Sequence, residues 1–277
     1  MREIAIFTDV HGLVEPLKAI LNDIKKRGIK EIYSLGDNIG AGPSVREILD
    51  LIKENNVISI AGNNEYYCTI GIAPFRNFFT SERIANQNWI NSKLTEEDLH
   101  DLLKYPSSID LTLGNKKIAL CHFANDIRID YTIHGTYTYQ DEIKYGNKAY
   151  LQFLYTNSDE QKRDIIKNKD NSKEFYDGFR SSYHNPLFNG KNVLEYDYIF
   201  QGHVHFPSIV SSPTTIFYTV GMAYCKENIA TYIILKEKED GFDIEEVYVT
   251  FDREKMLDCV KNSDMPDKSK INKYLRQ

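Results

Sequence analysis

The sequence predicts an α/β protein built on a parallel sheet. Three observations carry this: strand and helix patterns alternate from the N-terminus, the links between them are short, and the helices repeat apolar residues at i, i+3, i+4 and i+7. Residues 3–8 read as a short buried strand, apolar at most positions. In the helix that follows, Pro16 suits the first turn, Leu17, Ile20, Leu21 and Ile24 share one face, and Gly28 ends it as a C-terminal cap. Residues 31–35 form the second strand. A Gly-rich turn then leads through Pro43 and Ser44 into a helix carrying Val45, Ile48, Leu49 and Ile52, and residues 57–61 form the third strand. Such a run implies right-handed crossovers between parallel strands.

Later elements are less regular. Residues 81–94 and 95–104 read as helices, with Ser81 and Thr95 as N-caps. Residues 107–113 and 116–122, joined through Gly114-Asn115, read as a β-hairpin. Strand patterns return at 197–201, 208–210, 215–220 and 230–235, and a hairpin at Asp240-Gly241 leads into 245–251. The last 25 or so residues look helical. Between these lies 125–195, a polar segment rich in Tyr, Lys, Asp and Asn with no long period. The 277 residues are read as one domain, 1–277, with 125–195 inserted in it.

Composition narrows the function. Lys and Arg number 34 against 40 Asp and Glu, a formal charge of −6, which argues against general nucleic-acid binding. The four cysteines, Cys68, Cys121, Cys225 and Cys259, form no C-x-x-C pair, so neither a disulfide framework nor a zinc knuckle is expected. No apolar run approaches the ~20 residues of a membrane span. The first apolar stretch meets Asp9 too early for a signal peptide, so a cytoplasmic protein is expected.

The informative residues stand where predicted strands end. These ends read Thr8-Asp9-Val10-His11-Gly12, Gly36-Asp37-Asn38, Gly62-Asn63-Asn64-Glu65, Cys121-His122 and Gly202-His203-Val204-His205. In open parallel sheets ligands bind beyond the carboxyl ends of strands, so five strands would deliver Asp, His or Asn to one rim. The spacings D-x-H and H-x-H put both side chains on one side of an extended segment. A lone His is more often a satisfied polar residue than a ligand, and Gly-Asp or Gly-Asn is usually a turn. Five strand ends with metal-competent side chains are hard to explain that way. Imidazole with carboxylate and amide oxygen suits Mn, Fe, Zn or Ni, with Mn favoured here. Seven such ligands with one bridging carboxylate would hold two ions ~3.5–4 Å apart, an arrangement suited to displacement at phosphorus.

The order D-x-H, G-D, G-N-x-[DE], H and G-H-x-H resembles the calcineurin-like metallophosphoesterase superfamily over about residues 3–235. The stretch from Gly36 to Pro43 is similar to its small prokaryotic phosphodiesterase branch, which includes proteins described as dinucleoside tetraphosphatases. The resemblance implies a four-layer αββα sandwich. It also implies that Asp9, His11 and His205 bind one divalent ion, that Asn63, His122 and His203 bind a second, and that Asp37 bridges them. The implied reaction is hydrolysis of a phosphodiester or phosphoanhydride, plausibly in a nucleotide or dinucleoside polyphosphate, by a bridging hydroxide held by the two metals. The usual motif is G-N-H-[DE], whose His helps the leaving group; here Asn64 stands there and can donate a hydrogen bond to phosphate but no proton. Asn64 is thus the expected catalytic and substrate contact beside Asp37. Its identity favours good leaving groups, and it also motivates two alternatives: a weakly active metal-binding protein with a regulatory role, or a protein phosphatase. His134 and His184 could stand in for the missing acid, although surface histidine is the plainer reading of both. Relatives often carry Asn-Pro-Gly-Ser after G-H-x-H where this chain has Thr219-Val220-Gly221-Met222, leaving Gly221 alone to keep a turn there.

Of 19 tyrosines, ten lie between Tyr131 and Tyr198, interleaved with Arg128, Lys144, Lys148, Lys162, Arg163 and Arg180. A cap that stacks a base and holds outer phosphates, or a subunit interface in a homo-oligomer, would each use such a segment. Two divalent ions would bring the overall charge from −6 to about −2 and make the rim locally positive against only Asp9 and Asp37.

Overall fold

The computed structural model describes residues 1–69, 71–72, 79–106, 108–122, 187–188, 191–192, 196–211 and 215–274. The expected alternation appears as β1 (Glu3–Phe7), α1 (Val14–Arg27), β2 (Glu31–Ser34), α2 (Val45–Glu54) and β3 (Ile58–Ser59). Gly28 closes α1 in the left-handed conformation at φ 77°, its N–H bonded to the last turn. Three helices follow, α3 (Asn63–Thr69), α4 (Ser81–Ser92) and α5 (Glu96–Leu102), and then the hairpin β4 (Ser108–Leu113) and β5 (Lys116–Cys121). Next come β6 (Leu187–Phe188), β7 (Lys191–Asn192), β8 (Tyr198–Gln201), β9 (Ser208–Ser211), β10 (Ile216–Thr219) and β11 (Tyr224–Lys226). The long hairpin β12 (Ile229–Lys238) and β13 (Gly241–Thr250) precedes α6 (Arg253–Asn262) and α7 (Ser269–Tyr274).

Among the described residues these strands form two mixed sheets and a separate two-stranded ladder, β6-β7, rather than one parallel sheet. The first has the order β11-β12-β1-β2-β3 with β13 also paired to β12; β1, β2 and β3 are parallel, while β12 runs antiparallel to β1. The second has the order β4-β5-β8-β10-β9, in which β5, β8 and β10 are parallel. Strand alternation explains the sandwich. Ile4 and Ile6 of β1 point toward Ile118, Leu120, Phe200 and Phe217 of the second sheet, while Ala5 and Phe7 meet Leu17, Ile20 and Ile24 of α1 and Val45 and Ile48 of α2. The described residues thus show helix, sheet and sheet of the four expected layers.

Several expectations need correction. The N-cap of α4 is Thr80, whose hydroxyl accepts from Arg83 N–H at 3.3 Å, not Ser81, which is already helical. Thr95 does cap α5, in a reciprocal box with Asp98. Residues 63–69 after the third strand form a helix that periodicity did not signal, because most of it is buried all round. Tyr196 and Tyr198 belong to the second sheet's packing: Tyr196 donates to Asp110 Oδ1 at 2.8 Å, and Tyr198 packs against Phe200 and Phe242. The other eight tyrosines, the six interleaved Lys and Arg residues, His134 and His184 lie outside the described residues. Among the described residues no helix is long and apolar enough to cross a membrane.

Candidate metal centre

Asp9 and His11 follow β1, Asp37 follows β2, Asn63 and Asn64 open α3 after β3, His122 follows β5, and His203 and His205 follow β8. All eight residues singled out by the sequence meet in one cluster, six of them buried and His203 and His205 half-buried. The reason differs from the one the spacing suggested. Asp9, His11, Asp37, His203 and His205 have φ of 54°, 52°, 54°, 65° and 71°, so D-x-H and H-x-H are left-handed turns and not extended segments. Asp, Asn and His are the side chains that tolerate this region best, at a cost of about 1–3 kcal/mol each. Backbone bonds between the turns hold them there: Asp9 N–H donates to Gly36 O at 3.0 Å, His11 N–H to Asp37 O at 2.9 Å, and Gly42 N–H to His11 O at 2.8 Å. The Thr219–Met222 stretch contributes as well, since Met222 N–H donates to His205 O at 3.1 Å.

The side chains converge on two adjoining points. At one, His11 Nε2 and His205 Nε2 stand 2.8 Å apart, each 3.4 Å from Asp9 Oδ1. At the other, Asn63 Oδ1 lies 3.3 Å from His122 Nε2 and 3.0 Å from His203 Nδ1. Asp37 Oδ2 lies between, 3.9 Å from His11 Nε2 and 3.6 Å from His122 Nε2. Two residue sets, Asp9 with His11 and His205, and Asp9 with Asp37 and His122, each offer ligand atoms within 4.8 Å of one another. Asn64 grips Asp37 from the side, and Asn64 Nδ2 also lies 3.4 Å from His11 Nδ1.

Protonation argues that these points suit cations. The Leu35 carbonyl can only accept, so the 2.8 Å contact with His122 Nδ1 makes that nitrogen the donor and leaves the Nε2 lone pair facing inward. Burial holds His122 below its usual pKa, which keeps the ring neutral at pH 7. Its lone pair therefore faces the oxygens of Asn63 and Asp37 with no proton between them. Among the described residues Asp9 Oδ1 is fully buried and has no hydrogen-bond partner, a costly orphan in a protein interior. Burial pushes the Asp9 carboxyl up, but the neighbouring imidazoles of His11 and His205 outweigh it and hold the group well below the usual carboxylate range. A divalent ion at each point would satisfy all of these donors.

Glu65, the acidic residue of the G-N-x-[DE] pattern, clamps two of the turns. Its carboxylate accepts from Asp37 N–H at 2.9 Å, Asn38 N–H at 2.9 Å, Ile39 N–H at 3.3 Å and Gly62 N–H at 2.8 Å. It thereby ties the turn that carries Asp37 to the turn that carries Asn63. Burial and then the charge of Asp37 push its pKa up to about 7, against the pull of the backbone donors. Gly62 makes the approach possible, since a Cβ there would strike the carboxylate and backbone N of Asp37. A second unforeseen neighbour is Tyr274 of α7, whose ring centroid lies 5.1 Å from that of His11 and 5.1 Å from that of His205. No periodicity or motif marks it.

The profile of the Metallophos family, calcineurin-like phosphoesterase, matches residues 2–207. The chain belongs to that family. Membership makes the fold that of a metallophosphoesterase, and it implies divalent metal ions. An uncharacterized protein of Methanocaldococcus jannaschii is 36% identical over 119 residues, 43% of this chain and 48% of the relative, so the match spans about half of that protein's length. A hypothetical protein of Pyrococcus horikoshii has a similar structure, with a TM-score of 0.63 at 16% identity over 99% of this chain and 98% of the other. A metallophosphoesterase of Sphaerobacter thermophilus aligns with a TM-score of 0.56 at 19% identity, over 96% and 95% of the two chains. At these identities the two structures speak to the fold.

Proposed function

We propose that the protein hydrolyses a phosphodiester or phosphoanhydride bond, with a nucleotide as the substrate class, using two divalent ions. Asp9, His11 and His205 would hold one ion, Asn63, His122 and His203 the other, and Asp37 would bridge them. The observation that carries this reading is the convergence of lone pairs from His122 Nε2, Asn63 Oδ1 and Asp37 Oδ2 beside the orphaned Asp9 Oδ1. When bound, such a pair lowers the pKa of a coordinated water toward neutrality and offsets charge on the phosphate oxygens.

The chain's own residues do the positioning. Leu35 O sets the tautomer of His122, Glu65 and Asn64 hold Asp37, and the left-handed turns aim Asp9, His11, Asp37, His203 and His205 inward. The Asn64 amide, already bonded to Asp37 Oδ2, supplies no proton to a leaving group near pH 7. Substrates whose leaving group is itself a stable anion, as a nucleotide phosphate is, suffer least from that. The same observation favours a second reading, a metal-binding regulatory protein with little turnover; a protein phosphatase, which must expel an alkoxide or phenoxide, fits less well.

The test is calorimetric titration of chelator-stripped protein with Mn²⁺, followed by turnover of bis-p-nitrophenyl phosphate and a nucleotide panel. Two equivalents of metal with turnover are expected, and Asp37→Asn should lose both, because a neutral amide bridges two cations poorly. Full activity in Asp37→Asn would sink the two-metal reading. Stoichiometric metal without turnover on any substrate would favour the regulatory one.

A further inference from the structure

We propose that Tyr274, on a helix outside the residues that define the family, is a positioning residue of the first metal point, orienting His205 and His11 for the ion. This rests on the reading that those two histidines hold a metal. His122 has its ring set by a backbone carbonyl, but among the described residues His205 Nδ1 makes no hydrogen bond. Beside the contacts of its Nε2 with His11 and Asp9, the His205 ring meets an aromatic neighbour. Tyr274 meets it edge-on, at an interplanar angle of 81° with centroids 5.1 Å apart, and lies tilted by 33° over His11. The two imidazoles meet each other at 70° with centroids 4.8 Å apart, so the three rings form one closed cluster. Such edge-to-face and tilted contacts within 4.5–7 Å are the attractive arrangements of aromatic rings.

The placement of Tyr274 is over-determined by the core. Met265 and Ile271, on either side of the start of α7, are buried in the cluster that α1 and α2 share, and Lys268 Nζ donates to the carbonyls of Lys261 and Ser263 at 2.8 and 2.9 Å. The ring is therefore brought to the histidines by packing that does not involve them. A rigid wall against both rings keeps their Nε2 atoms aimed at Asp9 Oδ1. Groups that hold metal ligands in orientation from behind typically contribute 10–100-fold in metal affinity.

The experiment compares wild type, Tyr274→Phe and Tyr274→Leu, all stripped with chelator, by Mn²⁺ calorimetry, by the visible spectrum of the Co²⁺-loaded forms and by thermal unfolding without metal. Tyr274→Phe keeps the ring and should match wild type in Mn²⁺ affinity and in the Co²⁺ spectrum. Tyr274→Leu should bind one equivalent normally and the other about 10–100-fold more weakly, with an altered Co²⁺ spectrum; Tyr274→Met is the second ring-free variant should Leu fail to fold. Two unaltered equivalents in the ring-free variants would overturn the proposal, as would Tyr274→Phe being as impaired as Leu. Faster turnover in Tyr274→Leu with both metals retained would also overturn it, since the ring would then be an obstruction. If wild type itself binds no metal, the proposed function falls along with this inference; if wild type binds two and Leu is unchanged, this inference alone falls.

Discussion

Asn64 holds both oxygens of Asp37: its backbone N–H donates to Oδ1 at 2.8 Å and its side-chain Nδ2 to Oδ2 at 2.6 Å. The residue that departs from the family's motif is thus built into the support of the proposed bridging carboxylate. Asn64→Ala should lower metal affinity and turnover together, by about 10–100-fold. Calorimetry beside steady-state kinetics checks this. A fall in turnover at unchanged metal affinity would mean that Asn64 acts on the substrate instead.

Glu65 joins two ligand-bearing turns through four backbone donors. In Glu65→Gln the amide NH₂ would face donors that need an acceptor. Two of them, on Asp37 and Gly62, share Oε2. Losing both at about 1–3 kcal/mol each predicts a destabilisation of roughly 2–6 kcal/mol. Denaturant unfolding of the metal-free protein would measure it, and a variant within 0.5 kcal/mol of wild type, the ordinary spread of surface changes, would contradict the clamp.

Gly62 leaves room for Asp37, and an added methyl would collide with the Asp37 carboxylate. Gly62→Ala should therefore displace that carboxylate and cost about 1–3 kcal/mol of overpacking. Weakened Mn²⁺ binding with a lower unfolding temperature is the expected pair of results.

The capping box of α5 gives a pH dependence. Burial opposes ionisation of Asp98, but bonds from Thr95 and the ion pair with Arg46 outweigh it and hold the carboxyl below its ordinary 3.8. A carboxyl lowered in the folded state stabilises the fold above its unfolded pKa and loses that contribution as pH falls through the folded one. The stability gap between wild type and Asp98→Ala should therefore be level from pH 5 to 8 and close below about pH 4. A gap that widened on acidification would contradict the assignment.

Particular residues mark what was legible in advance. Leu17, Ile20 and Ile24 announce α1 because a helix buries one face at a fixed period, and the run of Asp, Asn and His at five strand ends announces the cluster. Periodicity was silent about α3, since a short helix buried nearly all round has no polar face to contrast. It was misleading about D-x-H and H-x-H, because residue spacing carries no information on the sign of φ. Tyr198, grouped by composition with the inserted segment, is a strand residue, and Tyr196 stands just before that strand; their partners Phe242 and Asp110 lie on other strands.

By itself the sequence determined most element types, α3 excepted, the strand-end positions and the identity of the metal-competent side chains, because these rest on local periodicity and on side-chain chemistry. Tertiary structure alone decided that two mixed sheets face each other, that left-handed turns aim Asp9, His11, Asp37, His203 and His205 at common points, and that Glu65 and Tyr274 support them. The physical reason is distance along the chain: Tyr274 lies 263 residues from His11 and 69 from His205, by subtraction of their numbers, and only the burial of apolar surface brings such residues together.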